Sequence, residues 1–436
     1  MNRTILIDFL TGKNVWDYYN VYKKTQWFSE TEMREYQLIK FKKLIEHCYA
    51  NVPFYRNFMQ TNQILPTDIT SIDHIQLFPI ITKEIIKERY EEFTPQNLNS
   101  IKGVKVKTTG GTTGNILFKR NDAYTRGSIW GTYKRFNDWM DISDKDKILI
   151  LMGGHVIGKE RIDGIKKKIN NYLTNSTSFN PYDTSDENFR RIVESLKNNQ
   201  FSLLRSYSQF LFSFCKKLET DGIKFNVRAV TTTAEPITPK HRDIFKKVLN
   251  AETFDQFGCG EIGGIAYECS KHEGLHVSEE RVYLEVNDKN QLIITDLDNF
   301  SMPFIRYFNA DEALISDKQC SCGRKSMLLK KIMGRTCDYV IGINGEILHW
   351  AYFWHLVFDS KIAEKNNLRK FQIVQTTKGS LTVRLVASPP LSGDEESVWI
   401  NNIQSRMGKM QVTFSYEQDI ENAASGKYRP VVCSIQ

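Results

Sequence analysis

Between Val227 and Gly258 the sequence spells a strand, a loop, a helix and a second strand. No other feature constrains the fold as much. Val227 to Thr231 is apolar and β-branched, and it runs into Thr232-Thr233-Ala234-Glu235-Pro236. Pro239 to Leu249 has helical spacing, and Thr253 to Phe257 is a strand that stops at Gly258. Lys147 to Met152 is a third apolar strand, closed by Gly153-Gly154. Strands joined through helices pack as parallel sheet with helices on its faces. The chain is therefore expected to be α/β, and α+β overall, with layered sheets and helices.

The flanking regions have a different texture. The first hundred residues read as mostly helical, with a helical apolar pattern from Phe41 to Tyr49 and a break at Asn51-Val52-Pro53. Thr82-Lys83-Glu84 has the order of a helix start, the threonine hydroxyl capping free amides. Val282 to Val286 and Gln291 to Thr295 read as a hairpin, which predicts a β-rich subdomain over about 265–334. Phe371 to Gln375 and Leu381 to Leu385 form a second hairpin. A helix at about Glu395 to Gly408, a strand at Val412 to Tyr416 and a loop at Ser425-Gly426-Lys427 follow. This predicts a large domain over 1–334 and a small α+β domain over 335–436.

Composition excludes several classes. Hydrophobic residues make up 41% of 436 residues, enough for a large core. Mean hydropathy is −0.42 and no run of 18 apolar residues occurs, so no membrane span is expected. The net charge of +8 is scattered rather than gathered on one stripe, which argues against a nucleic-acid partner. Met1 to Asp8 has neither the apolar stretch nor the cleavage residues of a secretory leader. Eight cysteines in this length do not make a disulfide framework, so reduced thiols and a cytoplasmic location are expected.

Chemistry is concentrated in a few loops. Thr108-Thr109-Gly110-Gly111-Thr112-Thr113-Gly114 offers backbone amides and hydroxyls to a polyphosphate. It follows Gly103 to Lys107, where Val and Lys alternate as in a strand, and it lacks the Gly-Lys-Ser/Thr ending of a Walker loop. Glu235 and Glu261 sit in loops after strands, where open parallel sheets bind ligands and a carboxylate can share Mg²⁺ with phosphate. Asp311, in Arg306-Tyr307-Phe308-Asn309-Ala310-Asp311, can accept both hydroxyls of a ribose. Gly334-Arg335 and Gly426-Lys427 place one cation at the domain boundary and another in a late loop. Taken singly, each of these is as readily a surface turn.

Their order and spacing resemble the adenylate-forming superfamily of acyl-CoA synthetases, adenylation domains and luciferase-like enzymes. The phenylacetate–CoA ligase branch, and within it the subgroup of capsular-polysaccharide gene clusters, is the nearest likeness. Asn51 to Arg56, Phe78 to Lys83, Ser206 to Ser208 and Phe371 to Gln375 share in it. The resemblance implies that ATP is used to activate a carboxylic acid as an acyl-adenylate. Thr109, Gly110, Gly111, Thr112, Thr113 and Gly114 would then hold the β- and γ-phosphates. Glu235, Pro236, Gln256, Phe257 and Gly258 would lie against adenine, Glu261 would hold Mg²⁺, and Asp311 and Arg335 would take the ribose or phosphate. Lys427 would bridge the carboxylate and the α-phosphate, offsetting the charge gathered when an anion attacks an anion. Tyr133, His155, Tyr207 and Ala234 would line the acid's pocket, although aromatic residues there serve core packing equally well.

The implied acceptor is CoA, a carrier-protein thiol, or the amine of an amino sugar or amino acid. The chain departs from the family at Asn115-Ile116, where Pro and Lys are common, at Phe308 and Ala310, and at Cys337, where an aspartate is usual. A non-catalytic nucleotide-binding or scaffold protein of the same fold is therefore the alternative. The implied assembly is a monomer or homodimer. Cys269, Cys320 and Cys322, with His276 or His272, have the composition of a closed Cys₃His zinc site. His276 is preferred because it adjoins Gly274-Leu275. Such a set leaves no open position for zinc-centred catalysis.

Overall fold

The computed structural model describes residues 3–108, 117–152, 171–181, 185–233, 237, 239–335, 339–349, 352–353, 356, 365–366, 368, 370–420 and 431–435. The chain divides into a large unit, Met1–Thr109 with Leu117–Met333, and a small unit from Gly334 to Gln436.

Eleven strands of the large unit form one sheet. β3 (Ile148–Leu151), β4 (Ser176–Ser178), β5 (Leu203–Tyr207), β6 (Ala229–Thr233) and β7 (Glu252–Cys259) pair in parallel, in the order β4-β3-β5-β6-β7. Helices α7 (Asp186–Asn198), α8 (Ser208–Thr220) and α9 (Pro239–Leu249) cross between them. Leu149, Leu204 and Val230 from the strands meet Leu211, Phe214, Phe245 and Val248 from the helices in a closed apolar core. Burial on one face of each helix and on the strands is what makes the parallel layer stable.

The sheet continues past β7 through β8 (Gly263–Glu268) and β9 (Leu275–Val277) to β13 (Leu328–Arg335), then β12 (Tyr307–Ile315), β11 (Gln291–Asp296) and β10 (Val282–Val286). The β7–β8, β8–β9, β9–β13, β10–β11 and β11–β12 pairs are antiparallel. The hairpin at 282–295 is thus the far edge of the main sheet, continuous with the parallel strands.

Helices α3 (Glu30–Asn51) and α4 (Pro53–Thr61) close the antiparallel side, with Phe41, Leu44, Tyr55 and Met59 against Ile265, Ile294 and Phe304. Ser29 and Glu32 make a reciprocal cap at the start of α3. Thr82 accepts from the Ile85 amide and opens α5 (Lys83–Glu88). Helix α6 (Ala123–Trp139) packs on α2 (Val15–Thr25) through two glycines. A Cβ on Gly127 would stand 1.7 Å from the Lys13 carbonyl oxygen, and one on Gly131 would stand 2.8 Å from Tyr18 Cβ. An antiparallel ribbon, β1 (Lys105–Thr108) with β2 (Phe118–Asn121), precedes α6.

The small unit holds a four-stranded sheet in the order β18 (Gln411–Tyr416), β17 (Ser380–Val386), β16 (Lys370–Gln375), β19 (Val431–Cys433). Helix α10 (Gly393–Met407) begins at a Ser392/Glu395 capping box and buries Trp399, Ile403 and Met407 against Phe371, Ile373 and Val383. A short pair, β14 (Tyr339–Ile341) with β15 (Ile347–His349), belongs to the same unit. Among the described residues no helix is long and apolar enough to cross a membrane.

Candidate active site

The parallel strands all end at one edge of the sheet. β5 ends at Tyr207, paired with Thr233 at the end of β6. Ala234, Glu235 and Pro236 follow Thr233 in sequence, and His155 follows β3; all four lie outside the described residues. So do Thr109, Gly110, Gly111, Thr112, Thr113, Gly114 and Lys427. Arg335 is the last residue of β13, and nothing is described of its side chain.

Gln256, Phe257 and Gly258 lie in the second half of β7, where the strand changes partner from β6 to β8. The Gln256 side chain is 5% exposed, and its Oε1 has no hydrogen-bond partner. A buried amide oxygen left unpaired costs free energy, and a ligand amino group would satisfy it. The edge of an adenine supplies such a donor.

Glu261 lies two residues beyond β7 and is 6% exposed. Its loop is pinned at three carbonyls. Lys119 Nζ donates to the Glu261 carbonyl at 3.2 Å. Arg281 donates to the Ile262 carbonyl at 2.6 Å and the Gly264 carbonyl at 3.2 Å. The Arg281 guanidinium is fully buried and pairs with Asp296 at 2.8 Å. These hold the loop's main chain and leave the Glu261 carboxylate without a side-chain hydrogen bond among the described residues. A buried, unengaged carboxylate at a strand end suits Mg²⁺, a hard cation that takes oxygen ligands.

Asp311 is buried on β12, with Asn309 Nδ2 donating to its Oδ2 at 2.6 Å. Ala310 between them is at φ +63°, which brings the two side chains together. Burial, with the Glu261 and Asp311 carboxylates adding to it, pushes the Cys259 thiol up to about 12, while Lys119 pulls the other way. Glu261 and Asp311 thus both act on the Cys259 thiol, from the loop after β7 and from β12. Arg306 makes no part of it. It pairs with Glu285 at 3.0 Å and donates to the Phe78 carbonyl at 2.9 Å.

Tyr133 lies on α6 beside Tyr267, with ring centroids 5.5 Å apart, and under the Arg205 guanidinium at 5.3 Å. Arg205 is buried, bonds the Asn137 side chain and leaves its Nε unpaired. Thr231 and Thr232 on β6 likewise carry unpaired buried hydroxyls. Lys119, Arg205 and Arg281 were not singled out by sequence. A lysine or arginine between apolar residues looks the same whether its head group reaches water or is buried.

A second constellation lies on the antiparallel side. Cys269, His276, Cys320 and Cys322 offer ligand atoms that all lie within 4.8 Å of one another. Cys269 Sγ is 3.6 Å from Cys320 Sγ, and Cys322 Sγ is 3.3 Å from His276 Nε2. Two thiolates on one tetrahedral zinc stand about 3.8 Å apart, from Zn–S distances of about 2.3 Å. Burial and the Arg324 and Arg135 guanidinium groups pull His276 down to about 4, which keeps the imidazole neutral. Its Nδ1 lies 3.1 Å from Ser326 Oγ, so that hydroxyl can fix the ring and leave Nε2 for a metal. His272 points elsewhere, to Glu252 at 3.0 Å and Glu268 at 3.2 Å. The donor set therefore fits zinc with His276 and without His272.

Residues 340–434 match the CapK C-terminal domain family. A phenylacetate–coenzyme A ligase of Thermus thermophilus is 22% identical over 340 residues, covering 72% of this chain and 73% of that protein. The Escherichia coli enzyme of the same name is 23% identical over 344 residues, covering 72% and 74%. A solved structure of 2-hydroxyisobutyryl-CoA ligase with 2-HIB-AMP and CoA superposes with a TM-score of 0.64 at 16% identity, covering 94% of this chain and 91% of that one. Another state of that ligase, with 2-HIB-AMP, gives 0.63 over 93% and 90%. The chain thus has the fold of an adenylate-forming CoA ligase, is similar to phenylacetate–CoA ligases over nearly three quarters of its length, and ends in a region matching the CapK C-terminal domain.

Proposed function

We propose that this chain is an ATP-dependent, AMP-forming ligase acting on a carboxylic acid. The carboxylate attacks the α-phosphate, pyrophosphate leaves, and the acyl-adenylate then passes its acyl group to an acceptor. The reading rests on the unpaired Oε1 of buried Gln256 in β7, with Glu261 buried just beyond that strand and Asp311 buried on β12. The amide of Gln256 takes the base, Asp311 takes the ribose hydroxyls, and Glu261 takes Mg²⁺. Bound Mg²⁺ supplies positive charge to the phosphate oxygens as negative charge moves onto the leaving pyrophosphate.

Lys427 supplies the second charge, between the acid and the α-phosphate. Thr109 to Gly114 hold the outer phosphates, while Glu235, Pro236, Phe257, Gly258 and Arg335 complete the nucleotide's surroundings. Tyr133, His155, Tyr207 and Ala234 face the acid. The acceptor is CoA, a carrier thiol or an amine. The relatives and structural neighbours that carry a CoA ligase name favour CoA. The CapK-type end region favours a role in making a surface polysaccharide, in the cytoplasm. The four-ligand cluster holds a structural zinc, which when bound cross-links β9 to the segments at Cys269 and at 320–322.

ATP–pyrophosphate exchange with pooled aryl, aliphatic and amino acids tests the reading. Exchange above the blank without acid, lost by at least about a hundredfold in Lys427→Ala, is the expected result. Acid-independent or lysine-independent exchange contradicts it. Nucleotide binding without exchange would favour the scaffold reading, for which the sequence departures at Asn115, Phe308 and Cys337 speak.

A further inference from the structure

Arg205 is a buried cation that no anion answers. The residue is 8% exposed, and its guanidinium donates to the neutral side chain of Asn137 and leaves Nε unpaired. Burial depresses its pKa, and the other groups that act on its charge are the phenols of Tyr133 and Tyr267. Burial raises both phenols in turn, so neither is an anion at neutral pH. No carboxylate is paired with Arg205 among the described residues. Arg135 and Arg281, buried in the same unit, are paired with Glu280 and Asp296. A guanidinium keeps its proton, so it cannot escape the cost of burial as a carboxyl does. The Tyr133 ring beneath it gives some attraction, but burying a whole charge costs more than one ring returns.

Its place in the sheet says where an anion would come from. Thr231 stands directly beside it on β6 and carries an unpaired buried hydroxyl. Residues two apart along a strand share a face. Two residues back on this face, Leu203 and Ala229 join Phe136, Phe254 and Tyr267 in an apolar cluster. Two residues on, Tyr207 and Thr233 end their strands half-buried. The face therefore runs from an apolar floor, through the layer of Arg205 and Thr231, to the strand ends. A water molecule could satisfy the hydroxyl and Nε, but it leaves the charge unanswered. An anion answers all three, because the guanidinium fork matches a carboxylate or a phosphonate.

We propose that Arg205 and Thr231 take a second anionic group at the far end of the acid, so that the substrate is a dianion such as a dicarboxylate. Two residues of strand span about 7 Å. An acid of about four to six carbons, with its reacting carboxylate at the strand ends, reaches the arginine across that layer. The site then selects by charge. A monoacid leaves the guanidinium buried and unpaired, and is rejected for that reason. Phenylacetate, named for the relatives, has a single carboxylate, so this substrate differs from theirs. Which carboxylate reacts rests on the ligase reading above, whereas the anion site does not, because dianions probe it without ATP.

Glutarate, adipate and 4-phosphonobutyrate are compared with pentanoate and hexanoate on the full chain, as wild type, Arg205→Met and Thr231→Val. Each acid is tested for ATP–pyrophosphate exchange and, without ATP, for its shift of the melting temperature. In wild type the dianions should exceed the monoacids by at least about a hundredfold in exchange kcat/KM, and should raise the melting temperature. The phosphonate distinguishes a distal phosphate-like group from a distal carboxylate. Arg205→Met should lose the preference, and exchange with hexanoate should be kept or gained. Without ligand it should melt no lower than wild type, because an unpaired buried charge is gone. Thr231→Val should weaken the dianions about tenfold and leave hexanoate within about twofold of its wild-type value.

A wild type that uses monoacids as well as dianions overturns the proposal, and so does a dianion preference that survives in Arg205→Met. The absence of a melting shift with all three dianions in wild type overturns it too. Should Arg205→Met not fold, Thr231→Val decides: a loss confined to the dianions sustains the site, and an equal loss for hexanoate counts against it. Arg205-dependent melting shifts without exchange sustain the anion site and reject the ligase. Exchange with monoacids that is indifferent to Arg205→Met does the reverse.

Discussion

The first half of β7, Glu252 to Asp255, lies parallel to β6; from Gln256 onward the strand lies antiparallel to β8. The two halves of the sheet that meet there are stabilised differently. On the parallel side the core between the strands and α7 to α9 is built mainly of Leu, Ile, Val and Phe. Such residues are interchangeable within volume limits, so the strand ends are free to carry chemistry. The antiparallel side has its own apolar core but adds specific polar ties. They are the buried Arg281–Asp296 pair, Arg306–Glu285 and the Cys₃His cluster, while Arg242–Glu268 ties α9 of the parallel side to β8. Each fails outright when one partner is removed. The parallel half should therefore lose function before stability, and the antiparallel half stability before function.

The largest test of this contrast is a pair of cysteine substitutions. Cys320→Ser, in the cluster, should strip zinc from the chain and cost upwards of about 4 kcal/mol, the range seen when a structural metal is lost. Cys215→Ala, fully buried in the parallel core, should cost about 1–2 kcal/mol through packing alone. Metal analysis by mass spectrometry and chemical denaturation measure both. Equal costs, or zinc retained by Cys320→Ser, would remove the contrast and the zinc assignment with it.

Glu261→Gln is the next largest and acts in the opposite sense. Its loop is held through carbonyls of residues 261, 262 and 264, none of which the substitution alters. The variant should melt no lower than wild type, because it removes a buried charge and leaves those carbonyl bonds in place. Acid-dependent exchange should fall by about a hundredfold, with a higher Mg²⁺ requirement. A Mg²⁺ titration of exchange rates is the measurement. An unchanged Mg²⁺ dependence would take Glu261 out of the site.

The same contrast explains what the sequence made legible. The helix read at roughly Pro239 to Leu249 is there, because proline opens it and its apolar spacing buries Ile244, Phe245, Val248 and Leu249. The 282–295 hairpin was read too, but periodicity reports a strand's face and never its neighbour. Its place at the edge of the main sheet was therefore invisible, as was the three-residue strand Leu275–Val277. Cysteine spacing picked out three of the four clustered donors. The choice between His272 and His276 needed the fold, since Glu252 and Glu268, which engage His272, are brought to it by different strands. Glu261 and Asp311 could be named as candidates because motif order points to them. Lys119 could not, because its meaning comes from the Glu261 carbonyl that it reaches far along the chain.

The smallest predicted effect sits at the junction itself. Burial, with the Glu268 carboxylate adding to it, raises Asp255 to about 7, against the amide of Gln256 and the Arg242 guanidinium. An unfolded aspartate titrates near ~3.9. Between these values the native state holds a proton that the unfolded state has released. Stability therefore falls as pH rises from about 4 to about 7, and the penalty is constant above that. His272, which faces Glu268, loses charge over a neighbouring range and pulls the same way, because its pairing holds its pKa up. Asp255→Asn keeps His272, Glu268 and Arg242, and its Oδ1 can still accept from the Gln256 amide, so the comparison with wild type isolates the aspartate. Asp255 is partly open to solvent, which limits the gain to ~1 kcal/mol, or about 2 °C. The variant should melt level with wild type at the acid end of the range and above it at pH 8. A gain that is flat with pH would mean that Asp255 is already ionised where the two halves of the sheet join.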